Sequence, residues 1–154
     1  MKINTIIVSA FPGCGKTTAT RELKGKINVV DSDGSTFDKT KFPNNYIEYI
    51  KSQLGKQELI FVSSHETVRH ALENEKLEYF LFYPSITRKE EFLDLYYRRG
   101  NNKTFIEVLD KNFDNFINSC DISYTPHKII LNKDGEFLLN NKEFIKIIEE
   151  IKNT

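Results

Sequence analysis

"SAFPGCGKTT", Ser9 to Thr18, follows a β-branched apolar run and precedes a stretch that reads as a helix. From Ala10 to Thr17 it keeps the spacing of a phosphate-binding loop, with alanine where a first glycine usually stands. Gly13 and Gly15 permit backbone angles that a side chain disfavours. The stretch Pro12, Gly13, Cys14, Gly15, Lys16, Thr17 and Thr18 is therefore expected to hold phosphate oxygens. Its N–H groups would point inward, helped by the N-terminus of the following helix. Pro12 lacks an N–H and is expected where no phosphate faces it. Lys16 is placed to reach β- and γ-phosphates, and Thr17 to offer its hydroxyl to magnesium. Alanine for the first glycine is a small change, because Ala10 only leaves the strand. The competing reading is a glycine turn before a helix whose lysine is merely solvated. The spacing, the Lys-Thr pair and the strand context together oppose it. Cys14 reads as a small residue that fits, with a reactive thiol near a helix N-terminus as the alternative.

The chain has 154 residues, the size of one domain with a single core. Its 22 basic and 22 acidic residues cancel, so nothing in the overall charge argues for a nucleic-acid or membrane surface. The two cysteines, Cys14 and Cys120, form no disulfide framework or metal spacing. A reducing cytosol is the simplest compartment, and a cytoplasmic protein is expected. "MKINTIIVSA" has a lysine and then an apolar run, but the run is too short for a signal peptide and reads as a strand. No segment approaches the roughly 20 apolar residues of a membrane helix.

Outward from the glycine loop, strands and helices alternate. Strands are expected over residues 4–10, 27–31, 58–64 and 78–84, with "HKIILN" as a fifth. Helices are expected from Lys16 to about Leu23 and over residues 45–54, 66–74, 105–117 and 142–152. A charged segment spans Arg88 to Arg99. Phe137 to Leu139 could return as an antiparallel edge after the "KDG" turn. This alternation predicts an α/β fold, a mostly parallel sheet with helices on both faces. Ligands in such sheets bind beyond the carboxyl ends of the strands.

Those ends supply the other candidates. "VVDSDGSTF" puts Asp31 and Asp33 just past the second strand. Two carboxylates there can hold magnesium, accept a substrate hydroxyl, or act as a general base. The plainer reading is a turn at Asp33-Gly34 with Ser35 as a cap. "FVSSHETVRHAL" ends the third strand with serines where a magnesium-holding aspartate is often found, so that carboxylate is expected from Asp31. Arg69 could clamp a phosphate in a bidentate contact, or be a solvated helix residue. His65 stands at a strand end and could line the site or cap the helix. "YPSITRKEEFLDLYYRRGNN" occupies the place of a lid, about residues 85–102, whose arginines would cover the transferring group and exclude water. Arg88 and Arg99 are the favoured catalytic candidates there, with Arg98 beside them; the alternative is a surface helix with ion pairs such as Arg88–Glu91. Asn132 and Lys133 follow the fifth strand and could border a base.

The runs "FPGCGKTT", "VVDSDGSTF", "FPNNYIEYIK", "FVSSHETVRHAL", "YP" and "RRGN" together resemble small phosphate-loop proteins of phages and prophages, described as nucleotide-kinase-like and similar in fold to adenylate kinase. The resemblance covers about residues 5–120. It implies a three-layer α/β/α phosphate-loop NTPase fold with a five-stranded sheet in the order 2-3-1-4-5 and a short helical lid. It also implies ATP and Mg2+, with a nucleoside monophosphate as acceptor. Gly13, Gly15, Lys16 and Thr17 would carry the triphosphate, and Asp31, Asp33, His65 and Arg69 would line the acceptor site. Thr17 and Asp31 would hold the metal. Leu95 stands near a position where that pattern often has an arginine, and Ala10 replaces its first glycine.

Three functions are thus in play. The first is phosphoryl transfer to a nucleoside monophosphate, with Lys16, Asp33, Arg88 and Arg99 doing the chemistry. The second is transfer to a hydroxyl on a nucleoside, polynucleotide end or modified base, with Asp33 as general base. The third is nucleotide binding with little turnover. The balanced charge weighs against long nucleic acid as substrate.

Overall fold

The computed structural model describes residues 4–33 and 36–154. The turn read at Gly34 and Ser35, and the first three residues of the N-terminal run, lie outside the described residues. Five strands form one sheet in the order β2-β3-β1-β4-β5: β1 (Ile6–Ala10), β2 (Val29–Asp31), β3 (Leu59–Ser63), β4 (Phe80–Pro84) and β5 (Lys128–Leu131). Every pairing is parallel. Among the described residues the helices are α1 (Lys16–Leu23), α2 (Asn44–Gln53), α3 (Glu66–Asn74), α4 (Lys89–Arg98), α5 (Lys103–Asp121) and α6 (Lys142–Lys152). No helix of the described residues is long and apolar enough to cross a membrane.

The inner strands "IIVSA", "LIFVS" and "FLFYP" are nearly continuous apolar runs, as a sheet covered on both faces requires. The covering can be traced from single side chains. The Phe144 ring of α6 stacks on Phe61 of β3 and meets Phe82 of β4 edge-on, with centroids 6.0 and 5.8 Å away. Tyr83, next along β4, points to the opposite face, and its hydroxyl donates to Asp121 of α5 at 2.6 Å. Helices therefore lie on both sides.

Register sets the position of the site. Ala10 pairs with Ser63 on one side and with Phe82 on the other. Asp31 pairs with Phe61. The carboxyl ends of β2, β3 and β1 are thus nearly level, and the segments after them emerge together. The strand order reverses at β1, which opens a crevice there.

Three elements differ from their expected form. Phe137–Leu139 is not an edge strand; a 3-10 turn covers Leu138–Asn140. The backbone donors that an edge would need are used elsewhere, since the Phe137 amide donates to the Asn140 side chain and the Leu138 amide to the Cys14 carbonyl. The charged segment opens with a 3-10 turn over Ile86–Arg88, capped by the Ser85 hydroxyl, before α4 begins. Helix α5 begins slightly before residue 105 and runs past residue 117 to Asp121, because Asn102 caps its start and its apolar stripe continues through Cys120.

Phe144 is fully buried between two strands, so Phe144→Ala should cost about 3–5 kcal/mol of stability. Urea unfolding measures this, and a loss below about 1 kcal/mol would show that α6 does not close this face.

Candidate functional site

The glycine loop turns between β1 and α1 with Gly13 at φ 92° and Gly15 at φ 104°. Both angles lie where side chains are strained. Gly13 is also sterically required. A β-carbon there would lie 2.9 Å from Tyr96 Cε1 and 3.2 Å from side-chain carbons of Leu95 and Phe92. Helix α4 is therefore packed directly on the loop, and the Tyr96 hydroxyl donates to the Pro12 carbonyl at 2.6 Å. Gly15 precedes α1, whose first N–H groups have no intrahelical acceptor. The loop thus presents a helix N-terminus to whatever lies in front of it.

In front of it is a cavity of about 850 Å³, within the range of small-molecule sites. One side is the loop itself, from Pro12 and Gly13 through Gly15, Lys16, Thr17 and Thr18. A second side is Asp31, Ser32, Asp33 and Ser63, from the ends of β2 and β3. A third is formed by Leu95 and Arg99 of the α4 region with Phe137, Leu139 and Asn140. Burial lowers the pKa of Lys16 from the usual lysine value, and Asp31 is the strongest influence opposing that shift. Burial raises the Asp31 carboxyl, while Lys16 draws it down and Asp33 adds to the rise. The cavity therefore holds a cation and two carboxylates that sense one another.

The carboxylate side is held by a residue that the sequence did not single out for the site. Tyr46 of α2 is fully buried. Its hydroxyl shares a 2.9 Å hydrogen bond with Ser32 Oγ and accepts from the Ser63 amide at 3.2 Å. Ser32 Oγ also reaches the Phe61 carbonyl at 2.6 Å. The ends of β2 and β3 are thereby joined where Asp31, Asp33 and Ser63 enter the cavity. The amphipathic pattern of α2 marks Tyr46 as apolar core, and its ring is that, edge-on to Phe37 and Phe42. Nothing in the pattern reveals where its hydroxyl goes. Phe137, Leu139 and Asn140 were likewise hidden, because they sit in irregular backbone.

Lys16, Thr17, Asp31, Asp33 and Arg99 are brought together around the cavity; the other candidates, Arg98 included, are not among its lining residues. Arg69 is 2% exposed, and its guanidinium donates to the Ser64 carbonyl and to the carbonyl and hydroxyl of Ser119. It ties α3 to α5. Arg88 is 1% exposed and its fork is taken by Glu91 and two backbone carbonyls. His65 is exposed and caps α3, its Nδ1 accepting from the Thr67 amide at 3.1 Å. The Cys14 side chain is buried behind the loop, where burial pushes its thiol up to about 12. That argues against a reactive thiol, since the thiolate is scarce at any ordinary pH. Asn132 and Lys133 are exposed and do not line the cavity.

Thr17 and Asp31 offer a hydroxyl and a carboxylate, oxygen donors of the kind that hard divalent cations take. Among the described residues no group of three or more His, Cys, Asp or Glu side chains could hold a metal.

Tyr46→Phe keeps the ring and removes only the hydroxyl, leaving the Ser63 amide without its acceptor. It should cost about 1–2 kcal/mol, read as a shift of the urea midpoint at constant slope. An unchanged midpoint would show that the hydroxyl does not hold these strand ends. No protein-family model matches the chain, and a search of curated proteins finds no match.

Proposed function

We propose that the chain is an ATP-dependent phosphotransferase of the phosphate-loop NTPase class, a three-layer α/β/α fold like that of nucleoside monophosphate kinases, acting on a small acceptor held against Asp31 and Asp33. The observation that carries this reading is the single cavity shared by the glycine loop, Lys16, Thr17, both carboxylates and Arg99. The positive φ at Gly13 and Gly15, and the helix N-terminus behind them, suit a chain of phosphate oxygens. The oxygen donors of Thr17 and Asp31 fit Mg2+, which when bound supplies charge neutralisation at the β- and γ-phosphate oxygens.

Each residue's part follows from its place. The loop amides and Lys16 bind the β- and γ-phosphates. Arg99, permanently charged, offsets the charge spread over the oxygens of the moving phosphoryl group. Helix α4 and the residues after β5 wall the cavity against water. Asp33 orients the acceptor and takes its proton where the acceptor is a hydroxyl.

The acceptor side favours a hydroxyl. A monophosphate acceptor was expected to be clamped by Arg69, whose guanidinium is committed to Ser64 and Ser119. The groups that do face the cavity there are carboxylates and hydroxyls, which attract a hydroxyl donor and repel a second phosphate. A small hydroxyl compound such as a nucleoside is therefore the better-supported acceptor, and a nucleoside monophosphate is the second reading, kept on the likeness of fold alone.

Incubation with Mg–ATP and a panel of nucleosides and ribo- and deoxynucleoside monophosphates should give a phosphorylated product. Lys16→Ala should abolish it, and full activity in that variant would sink the proposal. Tight ATP binding with no product from any acceptor would instead identify a nucleotide-binding protein with little turnover. Asp33→Asn should lower kcat by about a hundredfold or more on a hydroxyl acceptor, the size of a general-base effect. On a monophosphate, already ionised, the loss should stay below about tenfold.

A further inference from the structure

Arg88 stands immediately before α4, and each nitrogen of its guanidinium has a hydrogen-bond partner. Nε and Nη2 fork onto the two carboxylate oxygens of Glu91, each at 2.8 Å. Nη1 donates to the carbonyls of Leu131 and Glu136, at 3.1 and 2.8 Å. The rings of Phe92 and Phe137 lie 5.0 and 5.3 Å from its central carbon. Glu91 in turn accepts from the Gly135 amide at 2.9 Å. One ion pair thus grips the segment after β5 at three points: where the strand ends, in the turn, and just before Phe137.

That segment has little periodic backbone bonding of its own. Beyond the grip it continues into the turn at Leu138–Asn140, whose first amide donates to the Cys14 carbonyl at 3.0 Å. Phe137 comes up beside Gly15, so that a β-carbon on Gly15 would meet its Cβ at 3.7 Å. Phe137, Leu139 and Asn140 then form part of the cavity lining. A buried guanidinium is costly without partners, so losing these bonds is unfavourable and the arrangement favours one conformation of the segment.

We propose that Arg88 is a positioning residue for the donor nucleotide: it fixes residues 131–140 so that Phe137, Leu139 and Asn140 form the wall that receives the nucleoside end of the triphosphate. This rests on the reading of the cavity as a nucleoside triphosphate site. The phosphates belong to the glycine loop, so the remainder of the donor must extend beyond it. The apolar surface next to Gly15 is this wall.

The test separates the two ends of the ligand. Calorimetric titration compares Mg–ATP with Mg–tripolyphosphate, which has the phosphates and no nucleoside, for the wild type, Arg88→Lys and Glu91→Gln. Lysine keeps the charge but cannot reach all of the partners of the fork. Arg88→Lys should weaken ATP binding about tenfold or more while tripolyphosphate stays within about twofold. Glu91→Gln should show the same selective loss to a smaller degree, and it carries the comparison if Arg88→Lys does not fold. Equal losses for both ligands, or no loss for either, would overturn the proposal. Wild-type protein that binds tripolyphosphate as tightly as ATP would overturn it too, leaving the phosphate site intact. Wild-type protein that binds neither ligand would overturn the nucleotide reading and this proposal together.

Discussion

The pairing of β1 on both of its edges is the constraint on which the rest of the molecule depends. Its last residue, Ala10, is matched to Ser63 of β3 and to Phe82 of β4. The Ser9 hydroxyl adds a bond to the Ser63 carbonyl at 3.1 Å. With that register fixed, the glycine loop, the Asp31–Asp33 segment and the β3 end must appear together at one end of the sheet. A slip of one residue would exchange the two faces of β1 and set each of its side chains against the wrong layer of helices. The cavity is thus a consequence of sheet geometry before any polar contact is made.

Two arginines were expected to face a ligand and instead serve the protein. Each is buried, and each donates to backbone carbonyls at the ends of strands and helices or in the segments that follow them. Such a group stabilises only as a complete set, because a stranded charge in the interior is far more costly than the set is favourable. Lys16 and Arg99 remain as the cations of the cavity lining. Burial already disfavours the charged form of Lys16, which makes a nearby anion, Asp31 or a phosphate, a strong partner for it.

What could be read in the chain is what local rules govern. The alternation of apolar runs and amphipathic stretches gave the element order, and the glycine spacing gave the loop and α1. Asp31 and Asp33 could be placed because a strand end has a known direction. The partners of Arg88 and Arg69 could not, since they lie 43 to 50 residues away along the chain, apart from Glu91 and Ser64. An arginine near a strand end looks the same whether it meets a ligand or a carbonyl. Tyr46 was visible as a buried ring and invisible as a hydroxyl, for the same reason. Phe137 escaped because its backbone N–H is met by a side chain, which no periodic pattern records.

Helix α4 is anchored near both ends. Arg88 and Glu91 bind its start to the segment after β5, and Tyr96 holds its last turns to Pro12. Those anchors are about 12 Å apart along the axis, at the usual rise of a helix. A rod tied at two such points resists swinging more than a rod tied at one. Arg99 lies three residues past the second anchor, so its guanidinium travels by rotation about side-chain bonds. In this arrangement the helix is a strut, and the reach of the cation at its tip is set by side-chain bonds, whose rotations are far faster than movements of domains.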